Sequence, residues 1–199
     1  MQPKEVAASY DQIASRWAHD TFNRTNGIAQ HQRALQFVAR HGRALDVGCG
    51  SSGRFIDLLT THGFQVEGLD LSAEMIRLAR LRRPNVCFHH ADICTWEPDQ
   101  PYDFITAWDS IWHVPLKDQE HVLKKLCGAL NNGGVFIGTT GGLDEPGEKN
   151  DSAMGPPMYY SVLGIPRTLE ILAAAGCSCR HLEYDQFPEK HLYFIAQKI

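Results

Sequence analysis

The sequence of 199 residues has no apolar run near the length of about 18–20 residues that a membrane-spanning helix needs. Residues 1–20 alternate charged and apolar positions, so they lack the apolar block of a secretory signal. Basic residues do not dominate either, because the formal net charge is −4 and gives no positive footprint for nucleic acid. These shortages predict a cytoplasmic protein without a membrane segment and make nucleic acid a poor partner.

The sequence also lacks paired histidine or cysteine motifs at the spacing typical of zinc sites. His89 and His90 are adjacent in a predicted strand, where neighbouring side chains point to opposite faces and cannot easily share an ion. The six cysteines fall mostly inside predicted strands and helices, which suits reduced thiols. We therefore predict no metal site. A monomer and a homodimer both remain open.

What the sequence does contain is a strand, a glycine-rich turn and a helix in succession. Residues 43–47 form a short apolar run typical of a buried parallel strand. Gly48 and Gly50 permit positive φ angles and the close approach of a ligand. A helix is predicted to start near Ser51 or Ser52, and its free N–H groups favour an anionic group. This unit is typical of nucleotide-binding α/β sheets.

Acidic residues follow the next two predicted strands. Four further strands are predicted, over residues 63–69, 85–90, 102–107 and 135–140. Asp70 lies twenty residues after Gly50 and suits a ribose diol, because a carboxylate accepts two O–H hydrogen bonds. Asp92 follows the third strand in the same way.

Five motifs in this order resemble those of the class I S-adenosylmethionine-dependent methyltransferases of the small-molecule type. They are LDVGCGSSG (45–53), GLDLS (68–72), ADI (91–93), YDFITAWDSIWHVP (102–115) and LNNGGVFIGTT (130–140). The resemblance implies a doubly wound α/β fold, with a mostly parallel seven-stranded sheet, an antiparallel last strand and helices on both faces. It implies S-adenosylmethionine as the cofactor and places Asp92 at the adenine amino group. The residues predicted to bind the cofactor core are Asp46, Gly48, Cys49, Gly50, Asp70, Leu71, Asp92, Ile93 and Trp108.

Two amphipathic helices are predicted before the first strand, over residues 4–19 and 27–40. In the resembled family such helices fold over the cofactor, which makes Tyr10 and Trp17 candidates to cover it. The alternative is that both belong to the buried stripe of the first helix. Arg33, on the second helix, could clamp the cofactor's carboxylate through two hydrogen bonds. A solvated arginine is the alternative.

The fourth predicted strand ends in WDSIWHVP, and open α/β sheets bind ligands at the carboxyl ends of their strands. In the resembled family this loop lies beside the transferable methyl group, so Trp112 and His113 are candidate substrate contacts. His113 is also the candidate catalytic base, because an unperturbed histidine has a pKa near neutrality. A histidine bonded to backbone before a helix is the alternative. The family often has a histidine pair where this chain has Trp112 and His113.

Residues 141–165 are the least regular segment, with five glycines and three prolines. An irregular loop of this length inside a compact domain is often functional, so we predict a lid or substrate wall. Tyr159 and Tyr160 are candidate substrate contacts, and burial that pins the loop is the alternative. The chain is then one domain with four parts, namely an N-terminal helical cap (1–41), a cofactor-binding core (42–140), a lid loop (141–165) and a C-terminal helix and strand pair (166–199).

The predicted function is methyl transfer from S-adenosylmethionine to an O, N or S atom of a small molecule, the methyl acceptor. Methylation of RNA or protein is one alternative, and it would need a wider or more basic rim. A NAD-dependent oxidoreductase is another, and 199 residues leave little room for its substrate domain. A non-catalytic binding subunit is a third, against which the acidic residues Asp46, Asp70 and Asp92 argue.

Overall fold

The computed structural model describes residues 1–19 and 21–199, so residue 20, inside the predicted N-terminal cap, lies outside the described part. The helices are α1 (Pro3–Ile13), α2 (Ser15–Ala18), α3 (Ile28–Leu35), α4 (Arg54–Thr61), α5 (Ala73–Arg82), α6 (Leu116–Gly128) and α7 (Ile165–Ala174), with a 3₁₀ turn at Ile111–His113. The strands are β1 (Arg43–Val47), β2 (Gln65–Asp70), β3 (Cys87–His90), β4 (Tyr102–Ala107), β5 (Leu130–Gly141), β6 (Gly147–Asp151), β7 (Met158–Val162), β8 (Cys177–Tyr184) and β9 (His191–Lys198).

Seven strands form one sheet in the order β3-β2-β1-β4-β5-β9-β8. β1 is parallel to β2 and β4, and the parallel pairing continues outward to β3 and β5. β9 runs antiparallel to both of its neighbours, β5 and β8. The predicted fold class is therefore confirmed. The chain leaves β1 in one direction towards β3 and later returns to its other side at β4, and such a reversal opens a crevice for a ligand.

Helices cover both faces of the sheet because successive strand residues point to opposite sides. Leu45 and Ile105 face a core shared with α6 and α7. Ala44 and Phe104, their neighbours in sequence, face a second core shared with α3, α4 and α5. All four side chains are fully buried. Burial on both faces explains why β1 and β4 read as continuous apolar runs rather than alternating ones.

Several helix boundaries differ from the prediction. The first helix ends at Ile13, and a separate turn, α2, follows it. The second helix covers Ile28–Leu35 only. The helix predicted to start at Ser51 or Ser52 begins at Arg54, because Gly53 has a left-handed φ of 63°. Positive φ at Gly53 extends the glycine-rich turn by one residue beyond the prediction.

The segment 141–165 is not an irregular loop, which corrects the prediction. β6 and β7 pair in an antiparallel hairpin of their own, with Lys149 opposite Tyr160. The strand β6 is polar (GEKND), and its first four residues are at most half-buried, so no apolar alternation marks it in the sequence. The hairpin packs on α1, where Val6 and Ile13 share a buried apolar cluster with Met158.

Within the described residues, no helix combines the length and the hydropathy needed to cross a bilayer.

Candidate active site

A cavity of about 440 Å³ lies where the strand order reverses, at the carboxyl ends of β1, β2 and β4. Its floor is the glycine-rich turn, and its cover comes from α1, α2 and the hairpin. Thirteen of the predicted site residues line it, namely Tyr10, Trp17, Gly48, Cys49, Gly50, Asp70, Leu71, Asp92, Ile93, Trp108, Trp112, His113 and Tyr160. Three do not line it, namely Arg33, Asp46 and Tyr159. A pocket of this size at a strand-order reversal is typical of small-molecule sites in α/β sheets.

The turn after β1 is held by the first strand-end carboxylate. Gly48 and Gly50 have φ angles of 70° and 54°, and a Cβ atom at Gly48 would overlap the side chain of Ser110. Asp70 accepts hydrogen bonds from the N–H groups of Gly50 and Ser72, each at 2.9 Å. One carboxylate thus fixes the turn and the start of α5 while also lining the cavity.

Asp46 lies beneath the turn rather than in the cavity wall. Its side chain is 2% exposed, and burial raises the pKa of its carboxyl group to about 7. Arg54 opposes this shift, and the nearby charge of Asp70 adds to it. A carboxyl group in this position can respond to a charge placed in the cavity above it.

The structure corrects the assignment of Arg33. Its guanidinium group lies on the outer surface, where it donates to Glu183 at 2.7 Å and to the hydroxyl of Tyr193. Among the described residues, the arginine that lines the cavity is Arg54, at the first position of α4. Its guanidinium donates to the carbonyl of Asn26 at 2.9 Å and lies 4.2 Å from the centre of the Phe55 ring. Its place directly after the glycine-rich turn was the sequence signal for it.

His113 is fully engaged in hydrogen bonds. Its Nδ1 lies 2.7 Å from the Tyr159 carbonyl, so Nδ1 carries the proton and Nε2 accepts. Nε2 lies 2.8 Å from the hydroxyl of Tyr10 and 3.1 Å from Nε1 of Trp112. Burial lowers the pKa of His113 to about 4, although the Tyr159 carbonyl and Asp109 favour its protonation. This is the predicted alternative, a backbone-bonded histidine, and it makes His113 a weak base in this conformation.

The two tyrosines of β7 have different surroundings. Tyr159 is 5% exposed and faces away from the cavity, where its hydroxyl accepts from the N–H of Leu116 at 3.0 Å and donates to Glu148. Its predicted contact with a substrate is therefore wrong, and it pins the hairpin to α6 instead. Tyr160 does line the cavity, and its ring centre lies 4.9 Å from that of His113.

Sequence reasoning missed a hydrogen-bonded chain of three ionisable side chains at the cavity wall, namely Asp109, His191 and Asp185. Nε2 of His191 lies 2.8 Å from a carboxylate oxygen of Asp109, and Nδ1 lies 2.5 Å from one of Asp185. Burial opposes protonation of His191, but the two carboxylates outweigh it and raise its pKa. Asp109 and His191 both line the cavity. Asp109 could have been noticed in the sequence, because it lies directly after β4, where open α/β sheets bind ligands. Nothing in the sequence near Asp109 indicates that it pairs with His191 and, through it, with Asp185.

Among the residues that the structure describes, one group of side chains away from the cavity has ligand atoms close enough for a metal ion. Atoms of Glu67, Cys87 and His89 lie within 4.8 Å of one another. Glu67 already bonds Arg43, at 3.0 Å from Nε, and His89, at 2.9 Å. A guanidinium at the same carboxylate disfavours a second cation, and the prediction of no metal stays a prediction.

Fold and cavity together define an α/β protein with a cavity at a strand-order reversal, and comparison with known proteins specifies the class. A family model described as a methyltransferase domain matches residues 17–194. The chain belongs to this methyltransferase family, and the resemblance in its motifs is confirmed.

Individual relatives differ in the acceptor that their names give. A trans-aconitate 2-methyltransferase of Variovorax paradoxus is 40% identical over 111 residues, which cover 54% of this chain and 42% of that protein. The dTDP-3-amino-3,6-dideoxy-alpha-D-glucopyranose N,N-dimethyltransferase of Streptomyces fradiae is 32% identical over 104 residues, 48% of this chain and 40% of the relative. The matches thus span less than half the length of these relatives.

A solved structure supports the fold over nearly the whole chain. The amino pentose methyltransferase CalS10 of Micromonospora echinaspora, solved with S-adenosylmethionine bound, superposes with a TM-score of 0.69 at 18% identity. The match covers 94% of this chain and 96% of that one.

Proposed function

We propose that this chain transfers a methyl group from S-adenosylmethionine to an O, N or S atom of a small molecule. The observation that carries the proposal is the surroundings of Gly50. Its φ of 54° favours glycine, but packing does not demand one, because a Cβ atom built there would meet nothing nearer than the sulfur of Met75 at 3.9 Å. Gly50 itself lines the cavity. A glycine that keeps a cavity floor free suits a ligand that approaches the backbone closely.

The residues present fit the cofactor. Asp70 and Asp92 both line the cavity, where Asp70 would accept from a ribose diol and Asp92 from the adenine amino group. Leu71, Ile93 and Trp108 offer apolar surface for the adenine, and the indole Nε1 of Trp108 is buried without a hydrogen-bond partner among the described residues.

For the cofactor's carboxylate we propose Arg54 in place of Arg33. In the described part of the chain, Arg54 is the only lysine or arginine that lines the cavity, and it lies beside the glycine-rich turn. Tyr10 and Trp17, whose ring centres are 5.5 Å apart, would cover the bound cofactor from above. S-adenosylmethionine supplies an already activated methyl group, so the chain's own task is to align the acceptor with it.

We also propose that the chain is one domain with the four parts expected from the sequence, except that the third part is the β6–β7 hairpin and not a lid loop. Tyr160 and Met154 of the hairpin region line the same cavity as Tyr10 of α1. Ser9 also donates to the carbonyl of Pro157 at 2.7 Å, so α1 and the hairpin would move as one cover. A reducing compartment such as the cytoplasm belongs to the proposal as well, supported by six cysteines that are all free thiols.

Calorimetric titration separates this proposal from the oxidoreductase alternative. We expect S-adenosylmethionine and S-adenosylhomocysteine to bind the wild-type protein and NAD not to bind. Gly50→Val should abolish binding, because its side chain would fill the cavity. Gly63→Val is the matched control, since Gly63 also has a positive φ (88°) and open space around its Cβ position, but lies away from the cavity. Tight binding of NAD without binding of S-adenosylmethionine would refute the proposal.

A further inference from the structure

Asp109 has a strained backbone at the wall of the cavity. Within the described ranges 1–19 and 21–199, Asp109 is the only non-glycine residue with a positive φ angle (54°). Its N–H donates to the hydroxyl of Thr139 at 2.8 Å, which holds that conformation. A left-handed conformation at a non-glycine residue costs of the order of 1 kcal/mol and persists where the surroundings impose it, often at functional sites. In this conformation Asp109 lines the cavity.

One oxygen of this carboxylate is occupied and the other is not. Oδ1 bonds Nε2 of His191, which is itself fixed by Asp185. Asp185 accepts in addition from the side-chain amide of Gln30 at 2.7 Å. Oδ2 has no hydrogen-bond donor among the described residues, and the Asp109 side chain is 32% exposed. The bonds through His191 and Asp185 therefore orient Asp109, which lines the cavity with one carboxylate oxygen left without a donor among the described residues.

The charges of the cavity wall favour an acceptor without carboxylates. Asp70, Asp92 and Asp109 all line it, against one arginine, Arg54, in the described part of the chain. If Arg54 holds the cofactor's carboxylate, as proposed above, no lysine or arginine of the wall remains for an anionic acceptor. His191 is already held between two carboxylates. An acceptor rich in carboxylate groups would then meet like charge.

We propose that Asp109 binds the methyl acceptor through an N–H or O–H group at the reacting atom, so that the substrate is an amine or a hydroxyl compound and not a carboxylic acid. This inference rests on the proposed methyl transfer. The acceptor's nitrogen or oxygen forms a bond to the methyl carbon, and the carbon–sulfur bond breaks with its electron pair on sulfur. The proton of the acceptor passes to Oδ2 of Asp109 and from there to water. Trp112 and Tyr160, with ring centres 6.3 Å apart, line the cavity beside this position.

The stability of the product in alkali tests the acceptor class. The protein is incubated with S-adenosyl-[methyl-³H]methionine and a protein-free small-molecule extract, and the labelled product is treated with mild base. N-methyl and O-methyl ether groups survive this treatment, whereas methyl esters release volatile methanol. We expect the label to remain non-volatile. Volatile label would overturn the inference and leave the proposed methyl transfer intact, whereas no label despite cofactor binding would refute both.

Variants test the role of Asp109 independently. Asp109→Asn should lower label incorporation at least about tenfold with cofactor affinity within twofold, since asparagine tolerates the left-handed conformation but lacks the charge. Glu145→Gln, an exposed acid outside the cavity, is the control and should be fully active. Unchanged labelling by Asp109→Asn would overturn the inference.

His191 is a positioning residue in this scheme, and a double variant tests that role. His191→Gln should reduce labelling, and Asp109→Asn/His191→Gln should lose no more than Asp109→Asn alone. Additive losses would show that His191 acts separately from Asp109.

Discussion

Acidification should destabilise the protein through His113, and the size of this effect tests whether the residue can act as a base. In the unfolded chain a histidine has a pKa near 6.5, whereas burial lowers the pKa of His113 to about 4. As the pH falls below 6.5, the unfolded state binds a proton that the folded state does not. The contribution of His113 to stability is therefore complete above pH 6.5 and is lost progressively between about pH 6.5 and 4.

The expected magnitude follows from these values. At pH 5 the solution is about 1.5 pH units below 6.5, and each unit in this window corresponds to about 1.36 kcal/mol. The full effect is thus about 2 kcal/mol. Because part of the ring faces the open cavity, where water screens it, we expect between about 1 and 2 kcal/mol. His31, whose pKa burial lowers to about 3, adds a similar loss.

The assay is urea unfolding of the wild-type protein and His113→Asn at pH 7 and pH 5. Asparagine can keep the donor to the Tyr159 carbonyl but does not titrate. The stability gap between the two proteins should shrink by about 1–2 kcal/mol at pH 5, and the contribution of His31 cancels in this comparison. His62→Asn, at an exposed position, should show no such change. An unchanged gap for His113→Asn would mean a pKa near neutrality and would restore His113 as a catalytic base.

Three further predictions concern the cofactor and the cover. Asp70→Ala should weaken S-adenosylmethionine binding by roughly 1.5–3 kcal/mol in calorimetry, because it removes a hydrogen bond to a charged group. Unchanged affinity would mean that Asp70 does not bind the cofactor. Arg54→Lys should raise the dissociation constant of S-adenosylmethionine about tenfold because a bidentate contact is lost, whereas Arg33→Lys should leave it within twofold. A larger effect of Arg33→Lys would mean that Arg33 binds the cofactor's carboxylate after all. Replacing residues 147–162 with a short glycine-serine turn should abolish turnover but change cofactor affinity by only a few-fold, and a fully active deletion would make the hairpin a spacer.

The sequence predicted the strands and the acidic residues that follow them because these depend on local patterns. The bounds of β1 and β4 agree with the structure, since a strand buried on both faces is a continuous apolar run. The convergence of Asp70 and Asp92 on one cavity follows from parallel strands ending at the same edge. Neither prediction requires knowledge of a side chain's direction.

The predictions that failed depend on side-chain direction or on long-range partners. The sequence places Arg33 on a helix before β1, but only packing decides that it meets Glu183, 150 residues away. Asp109 and His191 are 82 residues apart and come together only because β9 lies beside β5. The hairpin escaped prediction because a polar, partly exposed strand has no hydrophobic period to detect.

The sequence assigned His113 contact with the substrate and a role as catalytic base; the structure gives this histidine a junction instead, and we propose Asp109 for the acceptor. Through Tyr10 and the carbonyl of Tyr159, His113 joins α1 and the hairpin to the 3₁₀ turn after β4. A ring whose two nitrogens both serve this junction has no acceptor site left for a substrate. Asp109 lies four residues earlier in the same loop after β4 and lines the cavity, and one of its carboxylate oxygens is fixed by His191. Substituting His113 should therefore loosen the cover over the cavity, whereas substituting Asp109 should impair acceptor binding with the cover in place.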